Sequence, residues 1–234
     1  MRKLLLAGMT LALAAGLLAC GSKGGKTSVN PAALLSEAAD TMDALPGFHF
    51  LLTHKNGASA IALGLAMTRA EGDFVRPDKF RADVSARVQG GFVVNVTVVN
   101  VGDKTWISNP FASGQYQLLP EGTKTGQIFD PQNGLIAAVR KVEDPKVTGA
   151  EKVSGVETVV IGGKVDAAAL SSIATAAEPG RKVDATVWIG KQDHRIYRIR
   201  LVGPLTKDEP SNIERDVALS GFGKTVEVTP PAGQ

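Results

Sequence analysis

The sequence predicts an α+β protein built on one large antiparallel sheet, polar on one face, with three short helices covering the other. Three observations lead there. Long stretches alternate apolar and polar residues with a period of two, the connections between them are short and rich in Gly, Asp and Asn, and only three segments carry helical start and stop signals.

The first helix is predicted over Pro31 to Ala44. Asn30 supplies the N-cap and Pro31 the first helical position, and Leu34, Leu35, Ala38, Met42 and Leu45 form one apolar stripe before Pro46-Gly47 ends it. A second helix follows Asp130-Pro131 and carries Leu135, Ile136 and Val139. A third follows Asp166 and carries Leu170, Ile173, Ala174 and Ala177 before Pro179-Gly180.

Strand alternation is cleanest from Phe80 to Val88, where Phe80, Ala82, Val84, Ala86 and Val88 share one side and Arg81, Asp83, Ser85 and Arg87 the other. Phe92, Val94, Val96 and Val98 are expected on one face of the next strand. Later strands repeat the scheme: Val183, Ala185, Val187 and Ile189; Tyr197, Ile199 and Leu201; Ile213, Val217 and Leu219. Earlier candidates are Phe48 to His54, Ala60 to Arg69, and Thr105 to Ser108. Links such as Gln89-Gly90-Gly91, Gly102-Asp103 and Gly190-Lys191-Gln192-Asp193 suit hairpins between antiparallel neighbours. A sheet of that many strands curls rather than staying flat.

The amino terminus carries a separate signal. Arg2 and Lys3 precede a short apolar run, and Leu17-Leu18-Ala19-Cys20 closes it with the only cysteine of the chain. The run is too short for a comfortable membrane span, and the order of positive, apolar and small residues is that of an export signal. With cysteine just after the cut, the pattern resembles a bacterial lipobox. That implies cleavage after Ala19, a diacylglycerol thioether and an N-acyl chain on Cys20, and attachment to the outer face of the cell membrane. A plain signal peptide with a chance cysteine, or an uncleaved anchor, is the alternative. The expected organisation is a leader at 1–19, an acylated cysteine and flexible tether at 20–29, and one folded domain at 30–234. With no second cysteine, no intramolecular disulfide is possible.

Loss of Arg2 and Lys3 with the leader leaves 24 basic residues against 23 acidic, a formal charge of +1, so nothing points to nucleic acid. Aromatic residues make up only 5% of the chain, which predicts an interior of aliphatic and small side chains. Catalytic signatures are missing from the sequence: there is no Gly-x-Ser-x-Gly elbow, no His-Glu-x-x-His, and no clustered ligand set. Gly25-Lys26-Thr27 has the end of a phosphate loop without its leading glycine or preceding strand. His49 and His54, at odd spacing, face opposite sides of one strand, and His194 falls in a hairpin turn. Arg195, Arg198 and Arg200, with Lys191 nearby, either meet anionic lipid head groups or form a solvated strand face opposite acidic neighbours. The chain is read as a non-enzyme without cofactors other than its own acyl groups.

Several segments in order resemble one family. These are Pro77-Asp78-Lys79-Phe80-Arg81, Val101-Gly102-Asp103-Lys104-Thr105-Trp106-Ile107-Ser108, Phe129-Asp130-Pro131 with Gly134-Leu135, Val153-Ser154-Gly155-Val156, Ile161-Gly162-Gly163-Lys164-Val165, Ala185-Thr186-Val187-Trp188-Ile189, and Gly223 to Thr229. Together they are similar to the LppX/LprA/LprF/LprG lipoproteins of mycobacteria, over roughly Phe48 to Pro230. The Thr206 to Asn212 connection departs from them.

The resemblance implies a strongly curved antiparallel half-barrel, similar to periplasmic carriers of lipoproteins, with helices closing the concave side over an apolar cavity. It further implies binding of acylated lipids or glycolipids and their placement in the cell envelope, with a lipid exporter as a possible partner. Apolar positions on the inward face, Val84, Val94, Val96, Ile107, Leu118, Val187 and Ile199 with Ile136 of the second helix, are the candidate lipid-binding residues, whereas the space between them follows only from the resemblance. A scaffold lipoprotein with a filled core and an exported enzyme with a site assembled from distant residues are the competing readings.

Overall fold

The computed structural model describes residues 29–120, 128–130, 132–174 and 176–232. The leader, Cys20, the tether through Ser28 with its Gly25-Lys26-Thr27, and Pro131 lie outside the described residues. The first element is α1 (Pro31–Asp43), where Asn30 Oδ1 accepts hydrogen bonds from the amides of Ala32 and Ala33 at 3.1 and 3.2 Å. Those are two of the amides that a helix start leaves without partners. Leu34, Leu35, Ala38, Ala39 and Met42 are buried on one side of the helix.

Twelve strands follow among the described residues. They are β1 (Gly47–Lys55), β2 (Ser59–Ala60), β3 (Ala66–Val75), β4 (Lys79–Arg87), β5 (Val93–Val101), β6 (Lys104–Ser108), β7 (Tyr116–Leu118), β8 (Glu143–Val153), β9 (Val156–Asp166), β10 (Lys182–Gly190), β11 (Ile196–Val202) and β12 (Glu214–Ser220). All pairings are antiparallel. The spatial order is β7-β6-β5-β4-β3-β1-β12-β11-β10-β9-β8, with β2 beside β3, so two meanders meet where β1 pairs β12 and the sheet stays open between β7 and β8. The inner face is covered by α1, by α2 (Leu135–Val139) and by a 3₁₀ turn at Ala167–Leu170, whose inward residues join the strands in one core. No helix among the described residues is long and apolar enough to cross a membrane.

Close approach explains one glycine in the sheet. A Cβ on Gly72 would sit 2.0 Å from the carbonyl oxygen of Arg81 on β4, so only glycine lets β3 and β4 meet there.

Several expectations are corrected. The strand expected at Ala60 to Arg69 is displaced, with a 3₁₀ turn at Ala62–Gly64 and the strand running from Ala66 to Val75. The third helix is a single turn. Its N-cap Asp166 accepts hydrogen bonds from Ala168 N at 2.9 Å and from Gly180 N at 3.0 Å, drawing the far end of the segment back toward its start. Phe92 lies outside β5 at a hairpin tip and is 74% exposed. The hairpin of β8 and β9 carries no readable alternation in its first strand because β8 is exposed at the sheet edge. Its signal is the Ser154-Gly155 turn, where both residues have positive φ, 48° and 84°. The interior is also less purely aliphatic than composition suggests, because Phe48, Phe50, Phe74 and Phe129 meet in one cluster with ring centroids 4.9 to 5.3 Å apart.

Candidate functional site

The inner face of the sheet is the candidate site, and strand register decides who lines it. Val84 lies opposite Val96, and Val94 opposite Ala86, so these valines share a face across β4 and β5. All are buried, as is Ile107 on β6. On the other half of the sheet Val187 pairs with Ile199 and Ile161, and Ile136 of α2 is fully buried. Leu118 is a correction. It pairs with Trp106 rather than Ile107, which puts it on the outer face, 47% exposed, while its neighbour Leu119 is the buried one.

Val187 and Ile199 face α2 across an apolar gap of about 10 Å³ that Leu135, Ala138 and Val139 close from above. That is about the room a single water needs. No space for an acyl chain separates α2 from the sheet at this point, so Val187 and Ile199 are in packed contact with α2 here.

Charged groups hold the covering helices. Arg140, just after α2, reaches Asp40 at 2.6 Å and Asp43 at 2.7 Å on α1. Arg76 also reaches Asp43, at 2.8 Å, and donates to the carbonyls of Met42 and Leu45 at the end of α1. Carbonyls at a helix end lack internal partners, so a guanidinium there serves both hydrogen bonding and the helix dipole. Around the small gap beneath α2 the contact between helix and sheet is apolar.

Sequence reasoning missed one cluster inside the core. Arg215 on β12 has the parity of Ile213, Val217 and Leu219 and therefore points inward, where it is fully buried. It binds Glu209, the hydroxyl of Ser59 at 3.0 Å and the carbonyl of Gly203 at 3.3 Å. His54 joins from β1. Its Nδ1 donates to the carbonyl of Thr68 at 3.2 Å and its Nε2 accepts from Ser59 at 2.8 Å. Burial, aided by the Arg215 charge, pushes the His54 pKa down to about 4, so the imidazole is neutral. The Ser59 and His54 pair has the composition of a nucleophile and its base, but Ser59 is 1% exposed and its oxygen already accepts from Arg215. The cluster ties the Gly203 to Ile213 connection to β1, β2 and β3.

His49 does face the opposite side from His54 and lies beside Asp73 at 2.9 Å and Glu71 at 3.4 Å. His194 in its turn meets Glu37 of α1 at 2.8 Å. On the outer face Arg198 is 2.6 Å from Asp216, and Arg200 lies 3.1 Å from both Asp216 and Glu214. Both guanidinium groups lie over the ring of Trp188, at 4.9 and 5.6 Å. The two arginines therefore have acidic partners on the next strand. Among the described residues no group of His, Cys, Asp and Glu is placed to hold a metal ion.

Comparison with known proteins bears on this geometry. Residues 30–228 match the family described as LppX_LprAFG lipoprotein. The chain is 28% identical over 232 residues to the lipoarabinomannan carrier protein LprG of Mycolicibacterium smegmatis, covering 95% of this chain and 93% of that one. In fold it is similar to the crystal structure of LprF from Mycobacterium bovis, with a TM-score of 0.66 at 21% identity, covering 87% of this chain and 97% of that one. The crystal structure of the lipoprotein LppX from Mycobacterium tuberculosis gives 0.60 at 20% identity, over 86% of this chain and all of that one.

Proposed function

We propose that this chain, which belongs to the LppX_LprAFG lipoprotein family, is an exported lipoprotein, acylated at Cys20, that carries acylated lipids or glycolipids within the cell envelope. The observation that carries the reading is the contact between helices and sheet. Short α2 rests on β9, β10 and β11 through apolar side chains around the small gap, and the ion pairs of Arg140 that tie α2 to α1 lie outside that contact. Helices held in this way can lift and let an acyl chain replace them against the sheet without exposing a buried polar group. Val187, Ile199 and Ile136 then meet the lipid on one half of the sheet, and Val84, Val94, Val96 and Ile107 on the other. The name of the LprG relative, a lipoarabinomannan carrier, supports a glycolipid cargo.

The physical task is a large one for an unaided lipid. Moving a chain of about sixteen carbons into water costs on the order of 12 kcal/mol at roughly 0.8 kcal/mol per methylene. A protein interior that takes the place of the membrane removes most of that cost and needs no covalent step, so the reading requires no catalytic group. A lipid exporter as partner fits the same task.

Packing between α2 and the sheet favours a second reading, a non-catalytic scaffold lipoprotein with a filled core. Organic extraction of the purified chain followed by mass spectrometry separates the two. The carrier releases noncovalent acylated lipid in amounts comparable to protein. Protein that yields no extractable lipid, its own anchor staying covalently on the chain, is the scaffold.

A further inference from the structure

We infer that the end of the sheet formed by the β2–β3 loop, the β4–β5 hairpin and the β6–β7 loop docks on a lipid bilayer surface. The inference rests on the reading that the chain is held at a membrane, not on its carrying lipid.

The antiparallel order places these three connections at one end. Ala66 opens β3 opposite Arg87 at the end of β4, Arg87 lies opposite Val93 at the start of β5, and Ser108 at the end of β6 lies opposite Tyr116 at the start of β7. With strands about 4.8 Å apart, the tips form a row of about 20 Å. Each tip turns large apolar side chains to solvent: Leu63 is 56% exposed, Phe92 74%, Val93 62% and Phe111 86%. Leu63 does so from a left-handed backbone, φ 62°, which suits glycine or asparagine and disfavours leucine.

Charge decides what these tips meet. Segments 56–65, 88–102 and 105–120, which contain all three connections, hold no Asp, Glu, Lys or Arg. The connections at the same end of the other half of the sheet are charged, with Glu178, Arg181, Lys207 and Asp208. Arg87 flanks the apolar tips, is exposed, and makes no ion pair among the described residues, whereas nearby Arg69 is bound to Glu71. Separate apolar protrusions above an unpaired guanidinium match the layering of a bilayer surface, in which aromatic rings enter the acyl boundary and a cation rests at the phosphates. A protein partner would need one continuous complementary surface, and these tips are three separate points.

The test uses the chain purified from its native membranes and placed on phosphatidylcholine and phosphatidylglycerol vesicles that contain a shallow spin-labelled lipid. Phe92→Trp and Phe111→Trp report the tips, and Lys152→Trp reports the β8–β9 turn at the opposite end. The native Trp106 and Trp188 are buried and give a constant background. We expect a blue shift and strong quenching for the two tip variants and none for Lys152→Trp, with quenching weakened by salt or by Arg87→Gln. Equal, solvent-like emission from all three positions on vesicles that retain the chain overturns the docking. Shielding of Phe111→Trp in native membranes but not in protein-free vesicles also overturns it, in favour of a protein partner. A chain that leaves the vesicles altogether overturns docking and anchor together, and a docked chain that yields no extractable lipid overturns carriage alone.

Discussion

The hydroxyl of Ser59 accepts a hydrogen bond from Nε of Arg215 at 3.0 Å, between two buried residues. The bond links a two-residue strand near the amino end of the sheet to the last strand, and through Glu209 it holds the long connection between β11 and β12. Removing one member of such a cluster leaves the others buried without partners, which is costlier than never having had them.

Arg215→Ala is therefore expected to destabilise the fold by about 3–5 kcal/mol, read by urea unfolding. Arg215→Met combined with Glu209→Gln removes both charges and should recover more than half of that loss. A double variant no better than the single one would falsify the account of an uncompensated carboxylate.

His54 makes stability depend on pH in a defined window. Its pKa in the fold is about 4, below the ordinary value of 6.5, so the unfolded chain takes up the proton first as pH falls. Stability from the neutral imidazole is complete above about pH 6.5 and is lost progressively down to about pH 4, on the order of 3 kcal/mol in total. Thermal unfolding between pH 7.5 and 4.5 should show this slope in the native chain and a flatter one in His54→Gln. Parallel slopes would assign the window to other groups.

On the sheet beneath α2, Ala185 lies between Leu201 and Gly163 and borders the small apolar gap. Ala185→Phe fills more than that gap, so it should cost about 1–3 kcal/mol and block lipid uptake by occupying the place of the acyl chain. Val84→Trp asks the same of the other half, where Val84 is packed against Ala70 and Val96. Fluorescent-lipid binding and unfolding are measured on each variant. Normal uptake by a folded variant removes that half of the sheet from the site.

Cys20→Ser should leave the precursor uncut by the lipoprotein peptidase and without a diacylglycerol group. Mass spectrometry of the amino-terminal peptide checks it: an unmodified mature terminus at another residue, in a chain that still sediments with membranes, would replace the lipobox reading with a different anchor.

The comparison between sequence and structure turns on where side-chain pattern carries the information. β4, β5, β10 and β11 are half-buried, so their alternation was readable and placed Val84, Val94, Val96, Val187 and Ile199 inward. β8 is exposed along its length and offered no pattern. Leu118 failed for a different reason. A three-residue strand has too little alternation to settle its own face, and pairing with Trp106 decided it. Arg215 was hidden by its neighbours Glu214 and Asp216, among which a third charged residue reads as solvent-facing although its parity is that of the core.

The sequence alone determined the class of the molecule: the antiparallel meander, the capped first helix and the family. These depend on local pattern and on short motifs, which act within a few residues. Tertiary structure decided what distant segments do to one another: that Arg215 is neutralised inside the core, that Arg140 ties α1 to α2, that four phenylalanines meet, and how much space lies between α2 and the sheet. The last of these depends on the packing of side chains far apart in the chain, and no local pattern records whether two facing apolar surfaces touch or stand apart.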